Sequence, residues 1–478
     1  VVTHAFINGA AHPIEGADEL EVRDPGDGSL VGTIPEAGTR GIDAAVEAAR
    51  AAFPAWWATP AGERGKLVAK VADAIEAATD ELAPMLTAEQ GKPLRESRLE
   101  LHRCVETLRH YAGLSLNIRG TSVSDLDTGT RGMTLSRPLG VVGAIVPWNF
   151  PTTLLANKLG PAFVTGNTVV AKPDETTPFV TLRLAEIAHA AGLPAGVFNV
   201  VPGSGEVTGQ ALASHPDVRK IAFTGSTPVG KHIMRTAADH LKRVTLELGG
   251  SDPLIILDDA DVDAAISAAS MGRFFNCGQA CLAIKRVYAD ASIAEQVAQG
   301  IAEKAGRLTL GHGTTKGTQL GPLHSQEGRA TIAKQLEDAV ASGGEVLAGG
   351  GVPEGEVYDR GWFHEPTVVW NPSHDSAVSV DETFGPLLPV WPVDGLDDAI
   401  ARANASPFGL GSSVWTNDLG RAMAAAERID AGYTWVNSRT KVYDELPFGG
   451  LKESGYGKEH GEEALRYYTE VKSVVFRS

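Results

Sequence analysis

The chain has 478 residues, 43% hydrophobic and 21% charged, with 54 Gly, 27 Pro and no G-X-Y period. These values fit a globular protein of about three domains and exclude a disordered or collagen-like chain. A net charge of −17, with no long Lys/Arg run, argues against nucleic-acid binding as the main activity.

Three cysteines, Cys104, Cys277 and Cys281, give no disulfide framework and fit a reducing, cytoplasmic setting. The segment Val1–Glu15 has no basic stretch followed by an apolar run, so no signal peptide is expected. The first third reads as mostly helical after a short opening segment. Ile42, Val46, Ala49 and Phe53 recur at helical spacing, as do Leu67, Val71 and Ile75, then Val105, Leu108 and Ala112. Gly120–Leu135, rich in Thr, Ser, Gly and Asp, reads as a polar hairpin. Between Arg137 and Lys158 there is no charge over about a bilayer's length. Pro138, Pro147, Pro151 and Asn149 interrupt it, so a buried strand, a turn and a helix are predicted there rather than a membrane span.

From Gly140 short apolar runs read as buried strands: Val141–Val146, Thr168–Ala171, Val197–Val201, Lys220–Phe223 and Val244–Leu246. Helical segments over Thr152–Val164, Phe179–Ala191, Glu206–Ser214 and Thr227–His240 separate them. This alternation predicts a parallel βαβ sheet. A second α/β unit opens with Pro253–Leu257 and a helix near Asp261–Ala269. The closing segment Tyr467–Phe476 reads as a strand whose edge needs a cover, such as another subunit.

Ligands of open parallel sheets bind beyond the carboxyl ends of the strands. The residues there are Pro147-Trp148-Asn149-Phe150-Pro151, Lys172-Pro173-Asp174-Glu175, then Gly203, Gly205 and Gly209, then Thr224-Gly225-Ser226, then Glu247, Gly249 and Gly250. Turns need glycine and proline in any fold. That accounts for the glycines better than for Asn149, Lys172 and Glu247. The glycine spacing is G-x-G-x-x-x-G, one residue longer than the dinucleotide fingerprint, and alone does not separate a nucleotide site from an ordinary βα turn. In combination it gains weight. Lys172 can pair with a ribose or phosphate, Glu175 can accept from both ribose hydroxyls, and Ser226 opens a helix whose N-terminus suits a pyrophosphate.

Cys277 and Cys281 lack the further ligands a zinc site needs, so no metal is expected. Cys104, on an apolar helical stripe, reads as a buried inert thiol. Cys281, beside Gly278 and Gln279, fits that description less well.

At this point the chain resembles the aldehyde dehydrogenase superfamily, over nearly its whole length. The carriers are Pro147-Trp148-Asn149-Phe150-Pro151, Phe223-Thr224-Gly225-Ser226, Glu247-Leu248-Gly249-Gly250, Gly278-Gln279-Ala280-Cys281, Glu382-Thr383-Phe384-Gly385-Pro386 and Pro447-Phe448-Gly449-Gly450, in that order. The resemblance implies an α/β fold. It would have a Rossmann-like parallel-sheet cofactor domain (1–119 and 139–248), an α/β catalytic domain (249–466) and a small β-flap for oligomerisation (120–138 and 467–478). A homodimer or homotetramer is expected.

The resemblance also implies roles. Cys281 would be the nucleophile, Asn149 the oxyanion donor and Glu247 the base that activates water for hydrolysis of a thioester. Lys158 and Glu459 match a proton-relay pair behind that base. Pro147, Trp148, Lys172, Glu175, Gly205, Gly209, Phe223, Gly225, Ser226, Glu382 and Phe384 match coenzyme contacts. Lys172 and Glu175 match the adenosine-ribose residues, and Glu382 the nicotinamide-ribose acid. Phe150, Asn157, Ala280, Leu282, Val442 and Phe448 match positions that line the substrate tunnel. Asp174 and Glu175 stand where the 2′-phosphate of NADP would lie, so NAD is expected over NADP, with some NADP use left open by Lys172. The substrate expected is a medium-sized, uncharged or weakly polar aldehyde. Arg439 and Lys441 keep an anionic semialdehyde open as a second substrate class. Acyl transfer to coenzyme A is a rival activity, and Glu247 argues against it. A non-catalytic protein on the same fold would be expected to lack Cys281, Asn149 or Glu247, and all three are present. A Cys277–Cys281 redox pair also stays open.

Overall fold

The structure is a computed structural model and describes residues 4–477. Residues 1–3 and 478, included in the domain spans above, lie outside the described residues. Among the described residues, two large sheets dominate.

The first sheet contains five parallel strands in the spatial order Phe198–Val200, Thr168–Lys172, Val141–Ile145, Val218–Thr224, Arg243–Glu247. Read by position in the chain, that is the order 3-2-1-4-5. Strands Val141–Ile145 and Thr168–Lys172 are buried at every residue, as expected of a parallel sheet covered on both faces. Alternate residues serve two separate cores. Val142 and Ala144 join one that includes Leu108 and Phe163, while Val141 and Ile145 join one that includes Val46 and Ile221. The sheet order reverses between Val141–Ile145 and Val218–Thr224, and the crevice at such a switch point is where a ligand fits.

The opening segment carries structure that helical periodicity did not reveal. His4–Ile7 adds antiparallel to Phe198–Val200, and Ala10–Pro13 pairs beyond it. At the other edge Gly455–Tyr456 pairs antiparallel with Leu246 and Glu247. The predicted helices Pro151–Thr165, Phe179–Ala190 and Thr227–Ala238 form close to the expected bounds. Pro151 sits in the first turn, where its missing N–H costs nothing. Gly166, at φ +93°, ends that helix in the left-handed conformation. The helix is apolar nearly all round and buried accordingly, which carries Asn157 and Lys158 into the interior. The helix expected over Glu206–Ser214 is split: Gly205–Gly209 form a π-helical turn before Gln210–Ser214. Its wider turn takes up the extra residue in the glycine spacing.

The second sheet runs Glu345–Ala348, Thr367–Trp370, Leu387–Val393, Ile284–Asp290, Asp252–Ile256, Gly411–Trp415, Tyr433–Val436, parallel except at its first strand. A small antiparallel sheet stands apart. In it Thr469–Arg477 pairs residue for residue with Thr130–Pro138, and Ser122–Asp127 forms its far edge, exposed throughout. No helix among the described residues is long and apolar enough to cross a membrane.

Candidate active site

A cleft of about 1080 Å³ opens at the switch point. Pro147, Trp148, Lys172, Glu175, Gly205, Gly209, Phe223, Gly225, Ser226, Glu382 and Phe384 all line it, and Asn149 and Cys281 line it too. Residues separated by more than two hundred positions thus meet at one surface.

One end of the cleft has the chemistry for a nucleoside. Lys172 Nζ lies 2.8 Å from Glu175 Oε2. Burial would raise the Glu175 carboxyl, but the Lys172 charge and hydrogen bond outweigh it and hold the group below the ordinary glutamate range. Asp174 folds back, accepting from the Thr176 N–H at 3.0 Å and hydroxyl at 2.5 Å. Gly205 borders open space. Ser226 precedes the helix Thr227–Ala238, and its own side chain makes no cap bond, so the first-turn N–H groups remain available to an anion. These residues fit a dinucleotide: an acid for ribose hydroxyls, a cation beside it, and a helix terminus for pyrophosphate.

Cys281 stands at the other end. The backbone just before it is left-handed at Asn276 (φ +50°) and Cys277 (φ +55°), a rare state for side-chain-bearing residues. Gly278 follows at φ +73°, and a Cβ there would lie 2.2 Å from the Gly385 oxygen, so two of the sequence motifs touch at this point. Polar contacts hold the loop. Asn149 Nδ2 donates to Gln279 O at 3.1 Å. Asn276 Nδ2 donates to Asn149 O at 3.1 Å, and Lys92 Nζ donates to the same oxygen at 2.6 Å. Glu100 holds Lys92 at 2.5 Å. Gln279 Oε1 accepts from His324 N at 2.8 Å, and the His324 ring stacks on Trp148 with centroids 4.3 Å apart. Burial pushes the Cys281 thiol up to about 12, opposed by Lys285 and aided by the negative charges of Glu382, Asp252 and Glu247.

Glu247 ends the strand Arg243–Glu247 and is 4% exposed. Neither carboxyl oxygen has a hydrogen-bond partner among the described residues. Burial, then the Glu459 charge, raises its pKa well above the ordinary value, against the pull of Lys158 and Lys458. Gly449 makes room for it: a Cβ there would come within 2.7 Å of Glu247 Oε1. Lys158 Nζ pairs with Glu459 Oε1 at 2.7 Å and donates to Thr224 Oγ1 at 2.6 Å. Asn157 lies with this pair, donating from Nδ2 to Glu459 Oε2 at 3.0 Å.

Of the other positions expected to line a substrate tunnel, Leu282, Val442 and Phe448 pack around Cys281, together with Tyr433, Leu410 and Trp435. Phe150 stacks on Phe275 with centroids 5.9 Å apart. Ala280 is buried, next in the chain to Cys281. Of the two flanking cations, Lys441 sits 5.0 Å over the Tyr443 ring and Arg439 is exposed.

The family model described as the aldehyde dehydrogenase family matches residues 14–474. The chain belongs to the aldehyde dehydrogenase family. It is 40% identical to phenylacetaldehyde dehydrogenase of Pseudomonas fluorescens, over 95% of this chain and 92% of that protein. It is 36% identical to the NADP(+) succinate-semialdehyde dehydrogenase of Escherichia coli strain K12, over 98% of this chain and 96% of that protein. Among solved structures, the NAD+ complex of an aldehyde dehydrogenase from Bacillus cereus superposes with a TM-score of 0.96 at 39% identity, covering 100% of this chain and 97% of that one. The protein is therefore an aldehyde-oxidising enzyme of the α/β fold.

Several residues of this dehydrogenase site escaped the sequence reading. Lys92, Asn276, His324 and Lys285 reach it through the fold. None of them carried a signal in local pattern: Lys285 is one of two adjacent charges, with Arg286, in the strand Ile284–Asp290.

Proposed function

We propose that this aldehyde dehydrogenase oxidises a medium-sized, uncharged or weakly polar aldehyde to the free carboxylic acid, with NAD preferred over NADP. The observation that carries the reading is the cleft itself, which joins the Lys172–Glu175 pair at one end to Cys281 and Asn149 at the other. The bound coenzyme supplies the hydride acceptor. Cys281 Sγ, as thiolate, bonds to the aldehyde carbon, and the carbonyl electrons move to oxygen. The Asn149 amide and the Cys281 backbone N–H donate to that oxyanion. When the oxyanion re-forms its carbonyl, the carbon loses hydride and Cys281 carries a thioester. Glu247 takes a proton from water, the water oxygen adds to the thioester carbon, and Cys281 leaves as thiolate. The Glu459 carboxylate, held by Lys158, receives the proton Glu247 has taken up.

The aromatic and aliphatic wall of Tyr433, Trp435, Phe448, Leu282 and Val442 supports an apolar substrate body. Arg103, the cation held at the Val442 oxygen, is already engaged with Glu106 and Asp444. Asp174 and Glu175 support NAD, since a 2′-phosphate would meet two carboxylates. The exposed Val471, Val475 and Phe476 on the small sheet support assembly with further copies of the chain. The test is NADH or NADPH formation across aliphatic, aromatic and anionic aldehydes, run beside Cys281→Ala. Activity that survives the substitution overturns the reading. Release of an acyl-coenzyme A thioester when coenzyme A is supplied, in place of free acid, overturns its hydrolytic half.

A further inference from the structure

Lys285 is the second residue of the strand Ile284–Asp290, with its side chain 0% exposed. Its ammonium has three protons and three acceptors. Nζ lies 2.7 Å from Gly250 O, 2.8 Å from Cys281 O and 2.6 Å from Glu382 Oε1. One buried cation therefore ties together the chain just after Glu247, the cysteine and the acid at the cleft. Glu382 Oε1 also accepts from the Gly250 N–H at 3.1 Å, which engages that oxygen twice. Gly249 is packed against Oε2 so closely that a Cβ would lie 2.4 Å away. The carboxylate has little freedom to turn.

We propose that Lys285 is a positioning residue that fixes the Glu382 carboxylate for the coenzyme and places its ammonium on the Cys281 main-chain oxygen, so that coenzyme grip and thiolate formation share one anchor. The proposal rests on Cys281 as nucleophile and Glu382 as the ribose acid. The groups whose charges bear on the sulfur are Lys285, Glu382, Asp252 at the start of the strand Asp252–Ile256, and Glu247 at the end of Arg243–Glu247. Lys285 is the one cation among them, against three acids. Asp252 is pushed up to about 7 by burial, with Gly411 N donating to its Oδ1 at 3.0 Å. Near neutral pH it opposes the lysine only in part. A lysine with a purely structural role would brace the two carbonyl oxygens whatever the state of the sulfur. The charge role makes a different demand, because removing Lys285 and removing Glu382 must move the thiol in opposite directions.

The experiment follows alkylation of Cys281 by iodoacetamide against pH in the coenzyme-free full-length enzyme, read by mass spectrometry. Cys104 and Cys277 are buried; Cys104 lies on another peptide, and fragment-ion spectra distinguish Cys277 from Cys281, four positions away on the same one. Lys285→Met is expected to slow alkylation near pH 8 by at least about tenfold, one unit in the thiol midpoint, and to raise KM for NAD. Lys285→Arg keeps the charge and is expected to restore the alkylation profile at least in part. Glu382→Gln is expected to move the midpoint downward, and it stands in for Lys285→Met if that variant fails to fold. An unchanged profile in folded Lys285→Met, or an upward shift in Glu382→Gln, overturns the proposal. Cys281→Ala run alongside separates the two levels. Activity in that variant removes the functional reading, whereas its loss together with a flat Lys285→Met profile removes only the role of Lys285.

Discussion

Asn149 Nδ2 lies 3.1 Å from the main-chain oxygen of Gln279, two residues ahead of Cys281. One of its two amide protons therefore braces the cysteine loop, and the second is free for an oxyanion. The residue is 5% exposed, so a replacement cannot recruit bulk water as a substitute donor. Asn149→Ala is expected to lower kcat by roughly 10²- to 10³-fold, the usual cost of one oxyanion donor. Thiol alkylation at Cys281 should continue at a comparable rate. Steady-state kinetics set beside iodoacetamide inactivation checks this, and equal loss in both would assign Asn149 to loop architecture alone.

Glu247 makes a prediction with a sign. Burial holds its carboxyl protonated to well above the ordinary range, so the basic form appears only as pH rises through that elevated value. A step that needs the base must therefore accelerate with pH, while a step that does not need it is indifferent to this group. Glu247→Gln is expected to give a burst of about one NADH per site and then stall with the acyl group on Cys281. The slow phase in the variant should lose the rise with pH expected of the native enzyme. Stopped-flow NADH fluorescence with intact-mass analysis reads both.

What the sequence revealed followed local chemistry. The strand exits after Ile145, Lys172 and Glu247 could be found because buried parallel strands are short apolar runs, and whatever polar group follows them sits at the sheet's carboxyl edge. Residues whose roles arise from distant convergence could not be found that way. Lys285 meets Glu382 across 97 positions, and nothing near either one announces the other. Asn157 matched a tunnel position by resemblance, yet its amide is committed to Glu459, 302 positions away. The His4–Ile7 strand is short and pairs with Phe198–Val200, so its partner, not its own pattern, makes it a strand. The π-helical turn at Gly205 was visible only as one residue too many between glycines.

Lys158 and Glu459 form a buried ion pair, 0% and 3% exposed. Removing one partner leaves a charge in the interior without compensation. Lys158→Met is expected to destabilise the fold by about 3–5 kcal/mol. The double variant Lys158→Met/Glu459→Gln should recover much of that loss, since the unpaired charge is gone. Urea denaturation checks this through the midpoint at constant slope. The double variant should remain slow in turnover even where its stability returns. Recovery of both together would make the pair purely structural.

Coenzyme choice turns on Lys172 and Glu175. As the protein stands, Lys172 is neutralised by Glu175 at 2.8 Å, so no free cation awaits a 2′-phosphate. Glu175→Gln removes the carboxylate that would accept from ribose hydroxyls and also releases the Lys172 charge. A hydrogen bond to a charged group is worth about 1.5–3 kcal/mol, which corresponds to roughly 10- to 150-fold in affinity. KM for NAD should rise by about that order, and kcat/KM for NADP should rise relative to NAD, because repulsion has become attraction. Asp174→Asn should change the ratio less, since that carboxylate is folded onto Thr176. Initial rates with both coenzymes at fixed aldehyde decide the matter. A preference unchanged in Glu175→Gln would mean that selection rests on cleft shape rather than on this pair of charges.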